Sequence, residues 1–484
     1  MPKQHETPLL DALKACTVKP HAPFYTPGHK RGQGISPVLA DLLGEMVFRA
    51  DLTELAELDS LFSSQGVIQT AQILAAEAFG AAQTWFLVNG STCGIEAAIL
   101  ATCGAGDKII LPRNVHSSAI AGLILSGAMP IFINPEYDPV FDIAHSITPD
   151  AVAIALKQHL DAKAVLTVYP TYYGVCGDLA AIANITHQYN IPLLVDEAHG
   201  AHFAFHSELP TPALAAGADL TVQSIHKVLG AMTQASMLHI LGERIDSDRI
   251  SKALQLVQST SPSYILLASL DAARQQMALN GEQLMSRTLQ LADFAISQIS
   301  QIPGLSILPP KSSPGFRELD KTRLTINVTN LGLTGFEAEE ILDEQLGVTA
   351  EFSSLQNLTF IISLGNTISD IEQLIQGCQI LAKKYHRNKV ISHTLVEQNF
   401  TEYTVQISPR AAFFAPHETL PIEQTSDRIC AEIVCPYPPG IPVLMPGEVI
   451  TKAAIAYLQQ IPAMGGIISG CADPSLRTLK VVKN

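Results

Sequence analysis

Leu193-Leu194-Val195-Asp196-Glu197-Ala198-His199-Gly200 is the stretch on which the fold class turns: a short, wholly apolar run ends in a carboxylate and then in small residues. A strand without polar alternation must be buried on both faces, and a parallel sheet covered by helices on each side provides that. Downstream, Leu220–Gln223 repeats the pattern and runs into Ser224-Ile225-His226-Lys227. Working outward, the same signature predicts strands at Phe86–Val88, Lys108–Leu111, Ile131–Ile133, Ala164–Val168 and Met237–Ile240, with helical segments between them. The expected fold class is α/β, a doubly wound, mostly parallel sheet whose ligands sit beyond the carboxyl ends of its strands.

Beyond the sheet, Ser263–Ile299 reads as one or two long helices that bridge two domains. Residues 300–388 read as a smaller α+β domain, with strands at Arg323–Val328 and Thr359–Ser363 and helices at Thr334–Gln345 and Ile371–Tyr385. Polarity rises at Tyr385-His386-Arg387-Asn388-Lys389, where a boundary is expected. Residues 389–484 then form a C-terminal domain with Pro-rich turns (Pro436 to Gly440, Pro442, Pro446-Gly447) and a helix near Thr451–Gln460. Residues 1–25 are an N-terminal arm and 26–299 the large domain.

Composition narrows the function. With 484 residues, 47% hydrophobic and only 15% charged, and with 31 Gly and 30 Pro, the chain is neither disordered, collagen-like nor a coiled coil. A formal net charge of -15 repels phosphate backbones and anionic lipid surfaces, which argues against nucleic acid as a partner. Residues 114–135 carry no charge, but Asn114, His116, Ser117, Ser118, Ser126, Gly127 and Pro130 break them into a helix and a strand, so no membrane span is expected. The eight cysteines form no Cys-x-x-Cys pair and no signal peptide opens the chain, which points to a reducing, cytoplasmic setting; Cys430 and Cys435 are the pair to watch for redox sensitivity.

Four stretches at strand ends carry the chemistry. Val88-Asn89-Gly90-Ser91-Thr92-Cys93-Gly94 leads from a strand into a helix at Ile95–Ala101, and its small residues and free N–H groups suit an anion, although Ser91 would serve equally as a helix cap. Asp196 either caps locally, ligates a metal, or holds a protonated heterocyclic nitrogen. His199, His202 and His206 raise a zinc site, but no cysteine or further ligand lies near, and no metal is expected. Lys227 is either a solvated surface residue or an amine returned beside Asp196, able to form a Schiff base. Arg113-Asn114-Val115-His116-Ser117-Ser118 is a capped helix start or an imidazole that stacks on a ring.

Phosphate cradle, carboxylate, stacking imidazole and amine together make the parts of a pyridoxal 5'-phosphate site at Ser91, Asp196, His116 and Lys227. At this point the chain resembles the ornithine/lysine/arginine decarboxylases of the aspartate-aminotransferase fold. The resemblance runs over nearly the whole chain, through Thr26 to Gly32, Asp51 to Glu54 with Leu58-Asp59, Phe86 to Gly94, Arg113 to Ser118, Tyr169 to Gly174, Asp196 to His202, Ser224 to Lys227 and Tyr437 to Glu448. It implies that Lys227 holds the cofactor as a Schiff base, that Asp196 holds the pyridinium, that His116 stacks on the ring, and that Ser91, Thr92 and Ser224 bind the phosphate. His226 and Thr171 are further contacts, at the phosphate or in reprotonation and at the ring hydroxyl, and Gly90 and Ala198 complete the set. It further implies a short form without the N-terminal wing domain of the large members, and a homodimer or higher homo-oligomer in which Ser259-Thr260-Ser261-Pro262-Ser263 offers a hydroxyl to the neighbour's phosphate. The expected reaction is decarboxylation of a cationic amino acid, arginine to agmatine for polyamine synthesis, with lysine or ornithine as alternatives. An aminotransferase, an aldolase or a non-catalytic scaffold on the same fold are the rivals. Asp59 and Glu448 are the candidate partners of the substrate's distal cation, because a buried cation needs a carboxylate.

Overall fold

The computed structural model describes residues 3–385, 404–437, 441–463 and 465–483. The expected boundary at His386 to Lys389 and the turn residues Pro438-Pro439-Gly440 lie outside the described residues.

Each apolar run becomes a strand: β1 (Gln83–Leu87), β2 (Lys108–Pro112), β3 (Met129–Ile133), β4 (Ala162–Val168), β5 (Leu193–Asp196), β6 (Leu220–Gln223) and β7 (Ser236–Ile240). They form one sheet in the order β1-β7-β6-β5-β4-β2-β3. Every residue of β5, β6 and β7 is buried, the two-sided burial that their unbroken apolar sequence requires. β2 pairs parallel with β3 and β4. β7 departs from the parallel pattern, running antiparallel to both β6 and β1. Its connection from β6 holds only the four-residue helix Ile225–Val228, too short to carry the chain across the sheet, so the strand turns straight back.

The chain divides into two compact units, Met1–Ala101 with Val195–Met285, and Thr102–Leu194 with Ser286–Asn484. In the first unit, α1 (Pro8–Thr17) is held rather than trailing. Asp271 accepts from the backbone N–H of Leu9 at 3.0 Å, and the buried Arg274 donates to the carbonyls of Gln4 and Glu6, each at 2.7 Å. α2 (Val67–Phe79) follows, and α3 (Gly90–Thr102) opens directly from β1. α3 lies tight on the sheet because residue 94 is glycine: a Cβ there would stand 2.6 Å from Val222 Cγ1 and 2.8 Å from Leu87 Cδ1.

In the second unit, α4 (Ser117–Ser126) follows β2. A four-stranded antiparallel sheet, β8 (Ser306–Ile307), β9 (Arg323–Asn327), β10 (Phe352–Ser353) and β11 (Asn357–Ile361), has the order β8-β9-β11-β10. Leu324, Ile326, Leu358 and Phe360 face Ala338, Leu342, Leu374 and Cys378 in a core shared with the helices Gly335–Leu346 and Ile368–Tyr385. The sequence places both helices within a few residues of these limits. The tail has a core of its own, Ile422, Val434, Leu444, Ile450, Leu458 and Val481, beneath the helix Lys452–Ala463 and the pairing of His417–Pro421 with Thr478–Val482. The expected one or two helices over Ser263–Ile299 are a single element, α5 (Tyr264–Ile299), here numbered after α4.

Candidate active site

The first unit gathers most of the polar groups picked out in the sequence. Gly90 adopts φ +74°, a left-handed turn open to glycine at little cost, and its N–H donates to the Gln234 carbonyl at 3.1 Å. α3 therefore begins at Gly90 and not at Ile95, and Ser91 and Thr92 lie inside its first turn, where backbone N–H groups have no helical acceptor. The buried Ser224, just past β6, donates its hydroxyl to Ser91 at 2.8 Å. Two hydroxyls thus converge at the positive end of a thirteen-residue helix. Thr92 is exposed.

Asp196 ends β5 with its side chain buried, and Oδ1 accepts from the backbone N–H of Ala198 at 3.2 Å. The bond fixes the carboxylate as the chain leaves the strand. Lys227, half-buried on the helix that follows Ser224, places Nζ 3.1 Å from Nε2 of His199. The neighbouring His226 is tied back to the chain: Nδ1 lies 3.1 Å from the Ala235 carbonyl, which also accepts from the His226 backbone N–H at 3.2 Å. Ser91, Ser224, Asp196, His199 and Lys227 are therefore held at the ends of β1, β5 and β6 by local bonds.

The three histidines of the zinc reading go separate ways. His199 meets Lys227, the His202 ring packs against Phe203 at 4.8 Å, and His206 accepts from the Glu208 N–H at 3.2 Å. Among the described residues no group of three or more His, Cys, Asp or Glu side chains gathers as a metal site.

Asp59, in the same unit, sits at φ +67° and receives five backbone N–H groups, from Ser60, Gln65, Gly66, Ile68 and Gln69 at 2.8–3.4 Å. Burial works to raise its pKa, but the N–H groups of Gln65, Gly66, Ser60 and Gln69 hold the carboxyl below the usual range. It caps α2. Two of the motif stretches are joined through His29, whose Nδ1 accepts from the Gly32 N–H at 3.0 Å and whose Nε2 lies 3.1 Å from Asp51. Ser259, Thr260 and Ser261 are exposed.

In the second unit, His116 caps α4, with Nδ1 accepting from the Ser118 N–H at 3.2 Å, so Nε2 carries the ring proton. The Thr171 hydroxyl accepts from the Val175 N–H at 3.2 Å and is buried. Glu448 is 2% exposed, and its Oε2 accepts from Arg113 at 3.1 Å and from the Met445 N–H at 3.0 Å. Arg113 also donates to the carbonyls of Pro442 at 2.7 Å and Val443 at 2.9 Å. Burial pushes the Glu448 carboxyl up from its ordinary pKa, and Arg113 opposes the shift. Both carboxylates read as grips for a cationic side chain thus have protein donors of their own.

Two contacts of the structure are not reached from the sequence. The sequence offers His199 as a zinc ligand, whereas its place three residues after Asp196, in the loop leaving β5, is the signal for its contact with Lys227. The Arg113–Glu448 pair had none, since 335 residues separate its members.

Residues 7–311 match the family model described as Orn/Lys/Arg decarboxylase, major domain, and residues 394–470 the model described as Orn/Lys/Arg decarboxylase, C-terminal domain. The chain is 41% identical over 486 residues to a Bacillus subtilis protein named arginine decarboxylase, with 99% of this chain and 98% of that one covered. A Halalkalibacterium halodurans protein of the same name is 40% identical, with 100% of this chain and 99% of that one covered. Among solved structures, the Francisella novicida lysine decarboxylase LdcF matches with a TM-score of 0.85 at 22% identity, covering 99% of this chain and 81% of that one. At that identity the likeness carries the fold alone.

Proposed function

Because the chain belongs to the Orn/Lys/Arg decarboxylase family, we propose that this amino-acid decarboxylase converts L-arginine to agmatine and carbon dioxide with pyridoxal 5'-phosphate, as a step of polyamine synthesis. The choice of arginine is supported by 41% identity along essentially the full length of a relative named for that activity. The choice of cofactor is supported by one arrangement above all: Ser91 and Ser224 converging at the start of α3, with Asp196 and Lys227 at neighbouring strand ends.

The residues fit the cofactor group by group. The Ser91 and Ser224 hydroxyls and the first N–H groups of α3 would hold a phosphate dianion, as the positive end of a helix favours. The buried Asp196 would hold a ring nitrogen in its protonated form through a close opposite charge. Lys227 would hold the cofactor covalently, and His199, 3.1 Å from Nζ, would take a proton from the amine so that it attacks in the neutral form. By the family resemblance Gly90, Thr92, Ala198 and His226 belong with this set, and His116 and Thr171 are assigned to ring and hydroxyl. Bound, the cofactor supplies a sink for the electron pair left as the carboxyl group departs. Cα then takes up a proton, from Lys227, His226 or a tyrosine. Each turnover consumes one proton from solution and releases one carbon dioxide.

The oligomer proposed is a homodimer. The helix Pro37–Leu43 buries none of its side chains, and Val38, Leu42 and Met46 are 80%, 78% and 61% exposed, an apolar surface suited to a second copy. A reducing, cytoplasmic setting is supported by seven of the eight cysteines being buried, Cys430 and Cys435 included, with no disulfide among the described residues. Among the described residues no helix is long and apolar enough to cross a membrane.

Incubation with arginine, lysine and ornithine in competition, followed by identification of the amines formed, tests the reading. Agmatine should dominate. Cadaverine or putrescine in excess would move the substrate to lysine or ornithine, and a keto acid or aldehyde without carbon dioxide would move the reaction class.

A further inference from the structure

Glu197 follows Asp196 directly, so the two side chains leave the chain on opposite faces. Glu197 is 0% exposed, and its carboxylate accepts from the backbone N–H of Ala213 at 2.8 Å, the Thr221 hydroxyl at 2.7 Å and the Gln223 amide at 2.8 Å. With the Gln223 nitrogen committed to Glu197, the Gln223 oxygen faces Nε2 of His239 at 3.1 Å, which therefore bears the ring proton. Nδ1 is left to accept from the Thr84 hydroxyl at 2.7 Å.

The result is a directed chain of hydrogen bonds, Thr84 to His239 to Gln223 to Glu197, with every donor pointing the same way. It crosses four successive positions of the sheet, from β1 through β7 and β6 to the end of β5. No member is more than 3% exposed. Three of these strands deliver the groups of the site: β1 leads to Ser91, β5 to Asp196, β6 to Ser224 and Lys227.

We propose that Glu197 is a positioning residue that, through Gln223 and Thr221, locks the ends of β5 and β6 and so sets the spacing between Asp196 and the Ser224–Lys227 segment, a role that rests on reading those groups as a pyridoxal phosphate site. In its ionised form, held above the value of about 7 to which burial raises its pKa, the Glu197 carboxylate suits this terminus because it meets three donors and offers none. A glutamine at 197 would set its N–H₂ against that of Gln223, leaving buried donors unsatisfied. Exchanging the pair, glutamine at 197 and glutamate at 223, turns that link round and again matches donor with acceptor.

The experiment compares wild type, Glu197→Gln, the exchange Glu197→Gln with Gln223→Glu, and Thr84→Val as holoenzymes at about pH 8.5, where Glu197 is ionised, reading the dissociation constant of pyridoxal phosphate and the visible circular dichroism per bound cofactor. Glu197→Gln should raise the dissociation constant about tenfold and diminish the visible band. The exchange should restore both to within about twofold, and Thr84→Val should shift them in the same direction by less. Wild-type dichroism and affinity in Glu197→Gln, or an exchange variant no better than the single one, overturns the proposal. Should Glu197→Gln not fold, Thr84→Val decides, and wild-type values there overturn it as well. A wild-type protein that binds the cofactor with no visible band sinks the pyridoxal phosphate reading instead.

Discussion

At the scale of single residues, the site depends on which side chains carry protons. Lys227→Ala should abolish turnover yet keep non-covalent cofactor binding, because Ser91, Ser224 and Asp196 remain, and borohydride should then trap no adduct on the chain. An adduct on another lysine in wild type would remove Lys227 from the role. Asp196→Asn should lower kcat by about a hundredfold or more with the phosphate contacts intact, since a neutral amide no longer favours a protonated ring nitrogen; an unchanged kcat would refute it. Glu197 bears on pH. Burial raises its pKa to about 7, so between the ordinary carboxylate value and that point the folded protein holds a proton that the unfolded chain has released. Its contribution to stability is therefore greatest below the unfolded pKa and is lost as pH rises through the folded one, by roughly 3 kcal/mol in all. Glu197→Gln cannot ionise. Its melting temperature relative to wild type should climb by a few degrees between about pH 5 and pH 8, and a difference that does not vary with pH would mean that Glu197 is ionised throughout.

At the scale of elements, the loop after β2 and the tail turn act as one piece. Arg113 binds two carbonyls and one carboxylate of residues 442–448, three positions before His116 caps α4. Glu448→Gln leaves the buried guanidinium without a counter-charge, and removing one member of such a pair costs about 3–5 kcal/mol. The expected result is a clearly lower melting temperature with KM for arginine and for uncharged citrulline changed alike. A KM raised for arginine alone would instead put this carboxylate on the substrate, and Asp59→Asn is read in the same way. The same elements show what the sequence carries and what it does not. Leu193–Asp196 and Leu220–Gln223 were legible because two-sided burial leaves an unbroken apolar run. The sense of β7 was not, since it follows from the length of the connection after Lys227 and leaves no mark on Ser236–Ile240 itself. Ser91, Asp196 and Lys227 were legible as candidates because each ends a strand. That Glu448 belongs to Arg113 was hidden, because a pairing across 335 residues has no periodicity to betray it.

At the scale of the whole molecule, the exposed apolar side chains of Pro37–Leu43 and the exposed Ser259, Thr260 and Ser261 all lie in the unit that holds Lys227. Sedimentation of the holoenzyme should give a dimer, and Val38→Glu with Leu42→Glu should shift it toward monomer with lower activity; a fully active wild-type monomer would refute the assembly. The placement of β1 has a consequence for how the protein is made. β1 pairs with β7 from Gln83↔Ile240 to Leu87↔Ser236, so the strand that leads to Ser91 waits for a partner synthesised about 150 residues later. On the ribosome the early segment has no sheet to join, and nothing holds Ser91 beside the already synthesised Ser224, until β7 has emerged between their strands. A nascent chain arrested before Ser236 should therefore bind no cofactor however long it is left, and addition of pyridoxal phosphate during synthesis should accelerate maturation only once that late strand is out of the exit tunnel.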